Sequence, residues 1–231
     1  GTPSPWSYLA GSRLEEIAVR VQGPVVADIG TDHGKLPCLL LADPEIRRVI
    51  ATDISAASLK KCRDLLTTHP RRSDVELKVT DGLQGLDTGQ MDTIVISGMG
   101  GHRIIGILLR ALKEGKTLRR LLLSPQKGEE ELRRFLHEKS FMLTADFVVK
   151  DEGKFYTVLC AEPGEERYET DNAYRYGQIP LKSRDPVFLE RIGKELALQI
   201  RVRDQAISDE SLREIEERIA QLKEVLGELQ D

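Results

Sequence analysis

The feature that most constrains this chain is a recurrence between residues 25 and 97: a short β-branched run that stops at a small or acidic residue. Runs at 25–29, 49–53, 75–79 and 93–97 read as strands, and helices are expected over 36–42 and 58–66 between the first three. The second of these helices is entered through Ser55, a good N-cap type. This alternation builds a parallel sheet covered by helices. A helix at 104–112, a strand at 118–123 and a helix at 129–137 extend it. The pattern then changes. Segments 142–150 and 154–161 flank Asp151-Glu152-Gly153, a short glycine-containing connection typical of a hairpin, so the sheet is expected to end in an antiparallel edge.

Parallel sheets bind ligands at the carboxyl ends of their strands, so the residues there carry the functional reading. After the first strand comes Asp28-Ile29-Gly30-Thr31-Asp32-His33-Gly34. Its glycines let a ligand approach the backbone, but the G-x-G-x-x-G spacing of dinucleotide sites is absent. Asp28 and Asp32 would repel a pyrophosphate and suit a ligand carrying positive charge, such as the sulfonium and ammonium groups of S-adenosylmethionine (SAM). Asp53 ends the second strand, where a carboxylate can accept both hydroxyl hydrogens of a ribose. Asp81-Gly82-Leu83 follows the third, offering a carboxylate for an adenine amino group and an apolar face. Each word has a plainer reading as an ordinary βα turn; their convergence on one sheet edge favours a nucleotide-like ligand. After the fourth strand, Ser97-Gly98-Met99-Gly100-Gly101-His102 removes side-chain bulk where a second substrate would face the first. His33 is placed to orient its loop, His102 reads as a helix-start residue, and His69 and His137 read as surface residues.

Beyond Glu162 the composition shifts. Residues 163–231 hold 11 Lys plus Arg against 16 Asp plus Glu, whereas residues 1–162 hold 23 against 22. We therefore expect two domains, 1–162 and 163–231. In the second, a helix from Pro186 to about Arg203 precedes a seam of Leu212, Ile215, Ile219, Leu222, Leu226 and Leu229, capped by Ser208. An antiparallel helical hairpin is favoured, with coiled-coil pairing between chains as the alternative. The apolar runs are far shorter than the roughly 18 residues of a membrane span. Three cysteines, Cys38, Cys62 and Cys160, have no disulfide or metal spacing, which fits a cytoplasmic setting and no metal. The opening Gly-Thr-Pro-Ser-Pro has neither an initiator Met nor a signal pattern, and residues 1 to about 10 carry little weight.

Taken together, Asp28-Ile-Gly-Thr-Asp-His-Gly34, Ala51-Thr-Asp53-Ile54, Asp81-Gly-Leu83, Ser97-Gly-Met-Gly-Gly101, Glu152-Gly-Lys-Phe-Tyr156 and Tyr176-Gly177 resemble class I SAM-dependent methyltransferases. More closely, they resemble the bacterial tRNA (adenine(22)-N1)-methyltransferase family. The chain departs from that family's usual words at Lys35, at Ser124-Pro125-Gln126 and at Thr157. The resemblance implies a Rossmann-like α/β sheet with an antiparallel C-terminal hairpin, followed by a helical, coiled-coil-like domain. It implies SAM held by Asp28, Gly30, Asp32, His33 and Gly34, by Asp53 and Ile54, and by Asp81, Gly82 and Leu83. It places Asp32, Gly98, Met99 and Gly100 at the reacting atoms, with Asp32 ahead of Asp28 as the carboxylate that meets charge arriving on the base. The implied partner is tRNA, with no membrane.

With a formal net charge of -4, RNA contact must come from local clusters. Candidates are Lys60, Lys61 and Arg63; Arg71 and Arg72; Lys116, Arg119 and Arg120; Lys127, Arg133 and Arg134; and, in the tail, Arg191, Lys194, Arg201 and Arg203. A nicotinamide reductase is disfavoured because no Tyr-x-x-x-Lys pair occurs. A methyltransferase for another substrate, and a non-catalytic SAM-binding or coiled-coil interaction protein, remain as alternatives.

Overall fold

The computed structural model describes residues 12–32, 34–183 and 185–230. Seven strands form one sheet: β1 (Val25–Ile29), β2 (Arg48–Asp53), β3 (Val75–Val79), β4 (Thr93–Met99), β5 (Leu121–Pro125), β6 (Phe141–Asp151) and β7 (Lys154–Pro163). Their order is β3-β2-β1-β4-β5-β7-β6. The first five are parallel, and β7 runs antiparallel to both β5 and β6. The β6–β7 turn places Glu152 at φ 50° and Gly153 at φ 79°, the pair of left-handed residues that a two-residue hairpin requires.

Successive strand residues feed opposite faces, as the pleat dictates. Ala27, Ile29, Ile94, Ile96, Leu121 and Leu123 pack under α4 (Gly101–Lys113) and α5 (Glu129–Glu138). Val26, Val49, Ala51, Val95 and Leu122 pack under α1 (Ser12–Ala18), α2 (Lys35–Leu40) and α3 (Ala56–Leu66). The Ser55 hydroxyl caps α3, accepting from the Ser58 amide at 3.2 Å. Cys38, Cys62 and Cys160 are free and buried. Among the described residues, no helix is long and apolar enough to cross a membrane and no cluster of three or more His, Cys, Asp or Glu is arranged to hold a metal.

After β7 the chain passes through a π-helical turn (Ala173–Gly177) into α6 (Gln178–Ser183), α7 (Pro186–Arg203) and α8 (Asp209–Gln230). Ser208 caps α8 through the Ser211 amide at 3.1 Å. Helices α7 and α8 pack against each other within the chain. Phe188, Ile192, Leu222 and Val225 then form a third core with Val148 of β6 and Tyr176. The buried positions of α8 are Ile219, Leu222 and Val225. Val225 thus takes the innermost place that the heptad spacing gives to Leu226, which is half-buried, because α8 packs on α6 as well as on α7; the side chain of Leu229 lies outside those described.

Three sequence expectations are corrected. The fifth strand begins at Leu121 rather than Leu118, because the ladder with β4 starts where the Ile94 amide meets the Arg120 carbonyl at 2.9 Å, and Leu118 packs into the core before it. Strand β4 runs on through Gly98 and Met99 instead of ending at Ser97. His69 and His137 are buried, 3% and 9% exposed. His69 Nδ1 accepts the Arg71 amide at 3.0 Å, and His137 lies between the Tyr174 hydroxyl at 2.9 Å and Glu166 at 2.8 Å.

Candidate functional site

The carboxyl ends of β1 to β5 form a rim, and the pairing of β7 against β5 brings Lys154, Phe155 and Tyr156 to the same edge. At its centre the loop after β1 crosses the end of β2, since the Gly30 and Thr31 amides both donate to the Thr52 carbonyl, at 3.0 and 2.8 Å. Gly30 and Gly34 have φ of 73° and 76°, which side chains resist. Gly34 lies against Cys62, so near that a Cβ there would come within 2.9 Å of the Cys62 Cα as well as striking its sulfur.

Asp28 is 2% exposed, and its carboxylate accepts the Thr31 hydroxyl at 2.8 Å. Burial pushes its pKa from 3.8 up to about 6, opposed by the Thr31 hydrogen bond and assisted by the nearby charge of Asp53. Asp32 is exposed and left-handed, at φ 56°. Its amide donates to Asp53 Oδ2 at 3.2 Å, while Asp53 Oδ1 accepts the Ser55 amide at 2.9 Å. The Asp53 carboxylate is therefore held by backbone from both sides. Beside it Ile54 is 59% exposed, an apolar face that an ordinary surface turn would not need. Asp81 is exposed and lies 3.9 Å from Arg110, and Gly82 has φ 58°. The Leu83 side chain differs from expectation: it is 3% exposed and belongs to the core with Leu86 and Met91, so only its main chain reaches the rim. His33 lies outside the described residues.

The end of β4 supplies the second component. The register with β5 shifts between Ser97 and Met99, so Gly98 is the bulged residue, at φ 76° with open space where a Cβ would be. The Met99 methyl lies against Gly30, 2.9 Å from the position of a Cβ, so the two glycine loops touch. The Met99 carbonyl accepts the Gln126 amide at 2.9 Å, and the Gly100 carbonyl starts α4 by accepting from Arg103 and Ile104. Gly101 must be glycine, because a Cβ would stand 2.6 Å from the Gly128 carbonyl oxygen.

The basic clusters separate sharply. Arg133 is 2% exposed and paired with Asp146 at 2.7 and 3.1 Å, so it is scaffold. Arg71 spends its guanidinium on the Leu41, Asp43 and Ile46 carbonyls. With Arg72 it precedes β3, and Lys116, Arg119 and Arg120 precede β5, which puts both groups at the opposite edge of the sheet. Lys127 is at the rim, its stem packed over Gly100. Sequence reasoning missed Arg13, whose guanidinium stacks on Tyr156 at 4.7 Å; only the short amphipathic run of α1 could have signalled it.

A family model described as tRNA (adenine(22)-N(1))-methyltransferase matches residues 26–228. The tRNA (adenine(22)-N(1))-methyltransferase of Bacillus subtilis is 28% identical over 227 residues, covering 93% of this chain and 95% of that protein. The crystal structure of the B. subtilis m1A22 tRNA methyltransferase superposes with a TM-score of 0.81 at 27% identity, covering 94% and 98% of the two chains. A Streptococcus pneumoniae protein crystallised with S-adenosyl-L-methionine gives 0.83 at 28% identity, covering 93% and 98%. With a match that spans residues 26–228, most of its length, the chain belongs to the tRNA (adenine(22)-N(1))-methyltransferase family.

Proposed function

We propose that this protein transfers the methyl group of SAM to N1 of adenine 22 in tRNA. The observation that carries the reading is the contact of the β1 and β4 glycine loops, Gly30 against Met99, beside the backbone-held carboxylate of Asp53. The residues present fit SAM. Asp53 keeps lone pairs for ribose hydroxyls, Ile54 offers adenine an apolar surface, Asp81 and the Gly82-Leu83 main chain take its polar edge, and bare backbone at Gly30 and Gly34 admits the amino-acid end. Asp28 lies under the loop as a buried carboxylate whose ionisation a cationic ligand would favour.

When bound, SAM supplies an electrophilic methyl on a positively charged sulfur. Adenine N1 lies on the Watson–Crick edge, so the base must be unpaired before it can enter. Gly98, Met99 and Gly100 leave the room for it, and the loops hold the reactants close, which supplies much of the acceleration in such a transfer. Methylation leaves the ring cationic. Asp32, exposed at the loop apex, is placed to stabilise that charge or to take an N6 proton. We assign residues 1–162 to SAM binding and chemistry, and 163–231 to bracing the RNA.

The test is labelled methyl transfer from SAM to unmodified tRNA, with the product nucleoside mapped. One methyl per tRNA at adenine 22, lost when that position is changed to guanine, is expected; label elsewhere or none would refute the reading. In the same assay Asp32→Asn keeps the left-handed turn and removes the charge. We expect turnover to fall about 10²-fold, more than SAM affinity falls. Equal losses would make Asp32 a SAM ligand only.

A further inference from the structure

Next to the glycine loops, and continuous with them through Gln126, a groove of about 590 Å³ opens between the start of β7 and α7, lined by Lys154, Phe155, Tyr156, Arg191 and Lys194. Its volume suits a nucleotide. Its lining carries the cations Lys154, Arg191 and Lys194 against the one carboxylate Glu195, with Glu129, 3.5 Å from Arg191, and Glu190, 3.5 Å from Lys194, outside the lining. The aromatic residues are half-buried, so they are held firmly yet keep ring surface accessible. Around them the cations are already arranged: Arg13 lies over Tyr156 at 4.7 Å, and the Lys194 ammonium lies over Phe155 at 5.4 Å. Arg191 donates to the Thr157 hydroxyl at 2.8 Å, which pins α7 to the wall of the groove. Another opening of about 500 Å³, beside His137, also holds a ring under a cation, Tyr174 beneath Arg134 at 4.5 Å, but that ring is buried and offers no free face. Its three carboxylates, Glu138, Glu165 and Glu166, outnumber Arg134 and Arg167, and it lies near the start of β6 at the far edge of the sheet.

Aromatic rings flanked by cations are how proteins hold single-stranded nucleic acid, the ring taking a base face and the cations its phosphates. We propose that this groove receives an unpaired RNA nucleotide flanking the methylated adenine, its base laid on Tyr156 and its phosphate held by Lys154 and Lys194. The inference rests on the tRNA methyltransferase reading and deepens it. It explains how a chain of net charge -4 grips a polyanion: a few cations stand beside the reacting atoms, without a broadly basic surface.

The experiment titrates full-length protein with unmodified tRNA at several salt concentrations, reading binding directly, and measures KM and kcat in parallel. For Tyr156→Ala we expect tRNA affinity to fall about tenfold and KM to rise equally, with kcat at saturation and SAM affinity unchanged. Tyr156→Phe should restore binding, since the ring is retained. Lys154→Ala and Lys194→Ala should each lower the slope of log affinity against log salt by about one. That readout would not move if these residues were merely structural, and exposed Lys154 keeps the test valid even if Tyr156→Ala fails to fold. Unchanged affinity and slope in the lysine variants would overturn the groove while leaving the enzyme's activity intact. Wild-type protein that binds tRNA with the expected variant pattern but transfers no methyl would overturn the parent reading and support the groove.

Discussion

Asp28 and Gly34 show how much of the site is decided by single residues. With a pKa of about 6 in the folded protein against 3.8 ordinarily, Asp28 keeps a proton between those pH values that the unfolded chain has lost. Its contribution to stability is therefore full below about pH 4 and is lost as pH rises through 6. At pH 7.5 the protein carries a buried charge, and Asp28→Asn, which can still accept from Thr31, should be more stable by about 1–3 kcal/mol. Urea unfolding at pH 7.5 and pH 4 checks this: the gap should close at the lower pH, and a gap independent of pH would exclude the charge as its cause. Gly34→Ala combines a left-handed backbone with a clash into α3 and should cost about 2–5 kcal/mol. Because the Cys62 Cα is among the obstructing atoms, Cys62→Ala should not rescue it. Thermal unfolding of the double variant decides the matter.

Among the elements, the Arg133–Asp146 pair does what no single strand or helix does alone. Arg133 on α5 reaches Asp146 on β6 and donates to the Tyr174 and Arg175 carbonyls, at 2.9 and 3.0 Å, in the π-helical turn. Gly177, at φ 95°, is required there because a Cβ would stand 2.5 Å from Asp146 Oδ2. Removing one partner strands the other charge in the interior, so Arg133→Ala should destabilise by about 3–5 kcal/mol. Asp146→Asn should cost at least as much, because Arg133 cannot shed its charge whereas a stranded Asp146 can take up a proton. Chemical denaturation of both variants checks the order. None of this was legible in the sequence, where Arg133 reads as one member of a basic cluster. The five parallel strands, the hairpin and its turn were legible, because alternating burial and turn residues are local signals. The strand-end motifs Asp28 to Gly34, Asp53 and Gly98 to Gly101 could be placed for the same reason. The burial of Leu83, His69 and His137, and the meeting of Arg13 with Tyr156, depend on packing between distant segments, which no local pattern carries.

At the scale of the whole molecule, the helical extension is part of the fold's support as well as an appendage. Phe188, Ile192, Leu222 and Val225 cover Val148 of β6, so ending the chain at residue 183 exposes that patch. Ending it at 164 also removes the carbonyls that receive Arg133. Both truncations should lower the thermal midpoint, the shorter chain by more than about 10 °C, and equal midpoints for full-length and truncated proteins would show that the sheet stands alone. The position of those carbonyls sets an order in time. Tyr174 is made 28 residues after Asp146, so Arg133 and its carboxylate partner precede the two carbonyls in synthesis. The last acceptors of Arg133 thus arrive only after β7, the final strand, has been made.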